Sequence, residues 1–259
     1  MTNAKSRDLS KQNVFSRLLA QWYTDADQKE GQALTEADVS FEAGGFIVAG
    51  SGTTAVTLTY LVWAVLTHPD IQRKLEDEVA GLDVGYTDAQ LEKLPYLNCV
   101  VDEALRLYGA APGSLPRSAP KGGFTLQGGY FILEMTTVSS QAFSLHRDES
   151  IYPNGMSIVH QILWSLIERL TLSRSMPERF LDSRGQYASR KALFVPFGAG
   201  SRTCLGIHLA KMELRHGAAE FFRECKGARM AKSMKDDDME ILNFFLISPK
   251  GGRCCVALN

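Results

Sequence analysis

Apolar positions recur at helical spacing over most of the chain. From Thr35, which with Asp38 makes a capping-box signature, the sequence reads as one long helix to Leu66, ended by His68-Pro69. Pro69 then opens a second helix that closes at Gly81. Thr87 with Gln90 repeats the capping signature, and from Pro95 to Tyr108 the residues Leu97, Val100, Val101, Ala104, Leu105 and Tyr108 line one face of a further helix, stopped by Gly109. Within the polar segment 1–34 a smaller apolar cluster (Val14, Phe15, Leu18, Leu19, Trp22) predicts a short helix and a loop. After Gly109 the pattern changes, because Pro112, Gly113, Pro116, Pro120, Gly122 and Gly123 forbid helix. Alternation over 124–132 predicts a hairpin about Gly128-Gly129, and 136–140 another short strand. A polar loop (146–154), an amphipathic stretch, a glycine-rich loop from Phe194 and a helix from Ile207 to Cys225 follow. The tail reads as a strand, a turn over Pro249–Gly252 and a second strand. The expected class is mainly α with small β-hairpins.

Composition narrows the function classes. With 259 residues, 45% of them hydrophobic, the chain has material for a sizeable core and is not a disordered sequence. Lys plus Arg at 28 against Asp plus Glu at 29 leaves a formal charge of -1, which offers no polyanion-binding surface; no nucleic-acid partner is expected. None of the five cysteines forms a Cys-x-x-Cys pair, so a zinc knuckle and a disulfide scaffold are both disfavoured and a reducing compartment is favoured. Cys254 and Cys255 fall on the expected last strand, where neighbours face opposite sides and do not chelate one ion. The N-terminus lacks the apolar core of a signal peptide, and the longest apolar run, Val56–Leu66, is far shorter than the ~20 residues of a membrane span.

The run from Phe197 to Gly206 carries the first chemical signal. Cys204 just precedes a helix, where the dipole and unpaired N–H groups favour thiolate, and a thiolate there is a metal ligand. Gly198, Gly200 and Gly206 leave room for a flat macrocycle to approach the backbone, and Arg202 offers a cation to an acidic group on it. The bland alternative is a glycine-rich loop around a buried structural cysteine. Glu103 and Arg106, three apart on a helix, pair on one face, which taken alone is a surface ion pair. Gly44, Gly45, Gly50 and Gly52 each cost the long helix about 1 kcal/mol relative to Ala, which calls for a reason; the plain one is a glycine-tolerant buried core helix.

Taken together, Phe-x-x-Gly-x-Arg-x-Cys-x-Gly over 197–206, Glu103-x-x-Arg106 followed by Pro177-Glu178-Arg179-Phe180, and the Ala49–Thr54 stretch resemble the cytochrome P450 family, fungal type. The resemblance runs from about Leu34 to the C-terminus and covers the family's C-terminal half, so it implies a P450-like helical fold with its N-terminal half missing. It implies haem b with Cys204 as axial iron ligand, Arg202 and Arg117 as propionate partners, and Phe197, Gly198 and Gly206 as parts of the haem-binding loop. It implies that Glu103, Arg106 and Arg179 form a structural triad, and that Thr53, with Thr54 beside it, relays protons to dioxygen. Ala110–Leu115 and Phe244–Leu246 resemble substrate-recognition loops, and His146 and Arg147 match a loop that supports the fold. His68, His160, His208 and His216 read as satisfied or exposed residues.

Two departures stand out. Gly52 occupies the position where the family pattern has an acid before the threonine, which implies that water or another side chain delivers protons, or that turnover leaks peroxide. Residues 155–174 read as an insertion, either a retained in-frame intron or a surface amphipathic helix, dividing the chain into a polar segment 1–34 and a P450 portion 35–259. The implied activity is insertion of one oxygen atom of dioxygen into an apolar organic substrate, with electrons from NADPH-cytochrome P450 reductase, in fungal secondary metabolism. The implied parent enzyme is associated with the endoplasmic reticulum membrane, although this chain shows no transmembrane segment. The competing reading is a non-catalytic remnant, or a haem-binding or interaction module.

Overall fold

A computed structural model of the protein describes residues 35–149, 152 and 193–258. The expected helix within 1–34, the 155–174 insertion and Arg179 lie outside the described residues. The chain divides between Gly52 and Thr53 into two compact units.

Helix α1 (Glu36–Leu66) runs through that division. Its start is the expected capping box: the Thr35 N–H donates to Asp38 Oδ2 at 2.8 Å and the Asp38 N–H to Thr35 Oγ1 at 3.1 Å. In the first unit Phe41, Ile47 and Val48 are exposed, and a Cβ added at Gly44, Gly45 or Gly50 meets nothing within 4 Å. Among the described residues, these glycines are open where a Cβ would stand. By length and composition Ala37–Leu66 is apolar enough to cross a membrane, although the run Val56–Leu66 alone is too short. Its Tyr60, Leu61, Ala64, Val65 and Leu66 are buried in the second unit, as in a core helix.

The second unit is organised around α2 (Pro69–Val79), α4 (Pro95–Tyr108) and α6 (Ile207–Glu224), packed with the end of α1. Pro69 and Pro95 sit in the first turns of their helices, where a missing N–H costs nothing. The orphan N–H groups of Tyr96 and Leu97 donate to the Glu78 carboxylate at 2.9 and 2.7 Å, so α2 caps α4. The short α3 (Asp88–Leu91) carries the second expected capping box. Leu61, Leu75, Val79, Leu97, Val101, Leu214 and Phe222 form the centre of the core. Gly217 lets α6 come close to α1, because a Cβ there would lie 2.6 Å from Leu58 Cδ2.

Four small antiparallel pairs flank the helices. The expected hairpin is present as β2 (Phe124–Thr125) with β3 (Phe131–Ile132), its turn using Gly128 and Gly129 at positive φ. Strand β4 (Thr137–Gln141) pairs with β1 (Ser114–Ser118), placing Arg117 opposite Val138. The prolines around β1 concealed that strand in the sequence. The short α5 (Ala142–Leu145) follows β4.

The tail departs from expectation. β6 (Ile241–Asn243) pairs with β7 (Ile247–Pro249) around Phe244–Leu246, and β8 (Val256–Ala257) pairs with β5 (Arg229–Met230). The turn at Pro249–Gly252 does not close a hairpin, because Lys250 and Gly251 donate to the Glu240 and Asp238 carbonyls at 2.9 and 2.8 Å. Cys254 and Cys255 accordingly precede the last strand, where the Cys255 carbonyl accepts from the Ala231 N–H at 3.0 Å.

Candidate functional site

The loop ahead of α6 is fixed at its base and open at its tip. Phe194 and Phe197 are partly buried against the central core. The Gly198 N–H donates to the Val195 carbonyl at 3.0 Å, and the Cys204 N–H returns to the Phe197 carbonyl at 2.9 Å, closing the loop on itself. Between these bonds the chain turns through Gly198 and Gly200 at φ of +72° and +71°, the left-handed region that a side chain rarely adopts. A single 3₁₀ turn, Gly200–Arg202, leads to Thr203, whose hydroxyl donates to the Gly200 carbonyl at 2.8 Å. At the tip Arg202, Cys204 and Gly206 are exposed, and Leu205 is 79% exposed. The buried structural cysteine is thus excluded. A Cβ on Gly206 would stand 4.0 Å from Cys204 Sγ.

Behind the loop lies a buried polar group, where a surface ion pair was the reading of Glu103 and Arg106 taken alone. Glu103 and Arg106 are fully buried and joined by two parallel bonds of 2.8 Å. An Arg106 Nη1–H donates to the His146 carbonyl, and Arg147 Nη2 donates to the Leu107 carbonyl, so both arginines grip backbone at the α4–α5 junction. The Arg106 guanidinium also lies over the Tyr152 ring, 5.2 Å from its centre. His146 Nδ1 lies 3.1 Å from the Arg106 carbonyl, and the Val195 N–H donates to His146 Nε2 at 2.9 Å. Burial holds the His146 ring well below the ordinary histidine range, to about 4; the bond to the Arg106 carbonyl opposes this and the Arg106 and Arg147 charges add to it. Sequence reasoning gave His146 only general support of the fold. Its tie to Val195 joins positions too distant in the chain for any local pattern to show.

Arg117 is exposed on β1, its Nη1 donating to the Pro116 carbonyl at 2.8 Å. That strand borders the cysteine loop, since the Cβ position of Gly198 is 3.8 Å from Leu115 Cδ1. The two expected substrate-recognition loops meet: the Ile247 N–H donates to the Ala110 carbonyl at 2.8 Å, and a cavity of about 210 Å³ opens between Ala111, Gly113, Leu115, Asn243, Phe244 and Phe245. Phe244 and Phe245 are largely exposed. Thr53 and Thr54 are half-buried on α1, and the neighbouring Gly52 is exposed.

The donor set fits one kind of cofactor. Among the described residues no group of three or more His, Cys, Asp and Glu side chains is placed to hold a metal ion. One exposed thiol suits a metal that already carries its other donors, and the exposed Arg117 and Arg202 suit anionic tails. The comparisons agree. The family profile described as cytochrome P450 matches residues 2–157 and 174–256. The chain belongs to the cytochrome P450 family. A P450 of this family carries a haem held by a cysteine thiolate. The match takes in residues ahead of Leu34 and leaves out 158–173. Among curated P450 relatives, the cytochrome P450 monooxygenase stcB of Emericella nidulans is 41% identical over 257 residues, 99% of this chain and 44% of the relative. The cytochrome P450 monooxygenase tazI of Aspergillus terreus is 46% identical over 229 residues, 86% of this chain and 42% of the relative. For cypX of Dothistroma septosporum the figures are 40% over 249 residues, 96% and 45%. The chain spans less than half the length of these relatives.

Proposed function

We propose that this chain is the haem-binding portion of a fungal monooxygenase of secondary metabolism, with Cys204 as the thiolate that would hold haem b. The observation that carries this reading is an exposed thiol at the tip of a loop whose base is locked into the core. When bound, a thiolate-ligated haem supplies the activation of dioxygen for insertion of one oxygen atom into an apolar organic substrate. Cys204 presents Sγ, Gly198 and Gly206 keep the approach clear of side chains, and Phe197 anchors the loop. Arg202 and Arg117 would pair with the propionates. Thr53, with Thr54 beside it, relays protons, which water or another side chain delivers because Gly52 stands in the place of an acid. The cavity between Ala111–Leu115 and Asn243–Phe245 receives an apolar group of the substrate, which its exposed phenyl rings favour. Electrons come from an NADPH-cytochrome P450 reductase, and the parent enzyme works at the endoplasmic reticulum membrane. Residues 155–174 are an insertion, a reading supported by the gap in the family match at 158–173; sequencing of the mature transcript checks whether that segment is kept.

Reconstitution with haem and a reduced carbon monoxide difference spectrum tests the ligand. A thiolate-type Soret band that vanishes in Cys204→Ala is the expected result, and folded protein that takes up no haem overturns it. The competing reading, haem binding without turnover, draws support from Gly52 and from the exposed Phe41, Ile47 and Val48. Peroxide release measured against product separates the two: product in step with dioxygen consumed favours the monooxygenase, peroxide alone the remnant.

A further inference from the structure

We propose that His146 is a positioning residue for Cys204, its neutral ring tying the Glu103–Arg106 pair at the end of α4 to the first turn of the cysteine loop. This rests on the reading of Cys204 as the iron ligand.

The partners assign the ring its state. The Arg106 carbonyl only accepts and the Val195 N–H only donates, so the ring carries its proton on Nδ1 and offers the Nε2 lone pair to the loop. The Arg106 guanidinium, already paired with Glu103, holds the backbone carbonyl of His146 itself. The ring is almost fully buried, with Phe194 packed at 5.4 Å and the edge of Tyr152 at 6.4 Å, which leaves it little freedom to turn. A continuous path results. It runs from Glu103 through Arg106 and His146 to Val195, then from the Val195 carbonyl to Gly198 and from the Phe197 carbonyl to the Cys204 N–H.

Phe194 and Phe197 hold the loop to the core by apolar contact, which opposes withdrawal but not rotation or sliding. A hydrogen bond to a backbone N–H constrains the orientation of that peptide, and three residues on, at Gly198, the chain enters a left-handed glycine from which Cys204 is set. Losing the acceptor leaves the loop attached and free to shift the thiol.

Two variants separate the ring's two bonds. In His146→Asn the amide nitrogen replaces Nδ1 and still donates to the Arg106 carbonyl, while nothing reaches Val195. In His146→Gln the amide oxygen reaches the place of Nε2 and accepts from Val195. Hydrogen exchange on the full chain is the first readout and needs no haem. Residues 194–206 should exchange roughly tenfold faster in His146→Asn with α4 unchanged, and within about twofold of the parent in His146→Gln. The haem-loaded chain is the second: His146→Asn should lose part of the thiolate-type carbon monoxide band and His146→Gln should restore it. Parent-like loop exchange in His146→Asn overturns the proposal, as does faster loop exchange with an unchanged band. A thiolate-type band that persists in Cys204→Ser overturns the ligand reading itself, and with it the proposal, whatever the exchange shows. Should His146→Asn unfold, Val195→Pro deletes the N–H and keeps the ring; faster exchange confined to the loop is expected. Global unfolding in both variants overturns the proposal by making His146 a keystone of the fold.

Discussion

The back and the tip of the cysteine loop are built in opposite ways. Behind it Glu103, Arg106 and His146 are buried, and their charges and ring nitrogens are aimed at one another and at backbone groups of α4, α5 and Val195. At the tip Arg202, Cys204 and Leu205 face outward. A buried ion pair is tolerable only when nearly all its hydrogen-bonding capacity is used, so the back is rigid by necessity. An exposed thiol beside an exposed leucine adds little to folding, so the tip is free to be shaped by what binds there. Stability and chemistry are therefore separable in this molecule, and mutations at the two places should read differently.

The largest contrast is between Glu103→Ala and Cys204→Ala. Removing Glu103 leaves the buried Arg106 guanidinium without its bidentate partner and should destabilise the second unit by about 3–5 kcal/mol. Cys204→Ala, at an exposed loop position, should change stability by less than about 0.5 kcal/mol while abolishing the thiolate-type spectrum. Urea unfolding of both variants checks the pair; equal losses would mean that the tip is as structural as the back.

Acid should act on the back of the loop through His146. His146 titrates at about 4 in the folded chain against 6.5 when free, with Arg106, Arg147 and Glu103 the charged groups that influence it. Between those values the unfolded chain binds a proton that the folded chain does not. The ring's contribution is thus complete above about pH 6.5 and declines as the pH falls toward 4, a loss of roughly 3 kcal/mol. In His146→Gln, which does not titrate, that segment of the stability profile should be flat, and a slope equal to the parent's would assign the acid response to other groups.

A fourth substitution tests how closely the helices behind the loop are packed. Gly217→Ala would set a methyl 2.6 Å from Leu58 Cδ2, the far end of a flexible side chain, and should cost about 1 kcal/mol as α6 and α1 readjust. A neutral result in thermal unfolding would show slack between these helices.

Much of this architecture was legible because its signals are local. The Thr35–Asp38 and Thr87–Gln90 boxes, Pro69, Pro95 and Gly109 punctuate the helices within a few residues of where they act, and the motif 197–206 is contiguous. Spacing also revealed that Glu103 and Arg106 pair, but not that they are buried, because burial depends on α5 and Tyr152 arriving from later in the chain. The same holds for β1, hidden by prolines and defined by Thr137–Gln141, and for β8, drawn to Arg229–Met230 in place of the adjacent strand. His146 was legible only as a support of the fold, since nothing in the sequence HRD points to Val195.

The smallest effect on stability should come from Arg202→Gln, and it sharpens the comparison most. Arg202 ends the 3₁₀ turn with its side chain exposed, so its loss should shift the unfolding midpoint by no more than a fraction of a kcal/mol. If its guanidinium pairs with a haem propionate, the same substitution removes a charge-assisted bond to the bound group, which should weaken haem retention by roughly tenfold in transfer to a competing haem acceptor. Unchanged retention would leave Arg117 as the sole proposed propionate partner. A large loss of stability would show that the tip carries a share of the folding energy, and the division between a locked back and a free front would fail at that residue.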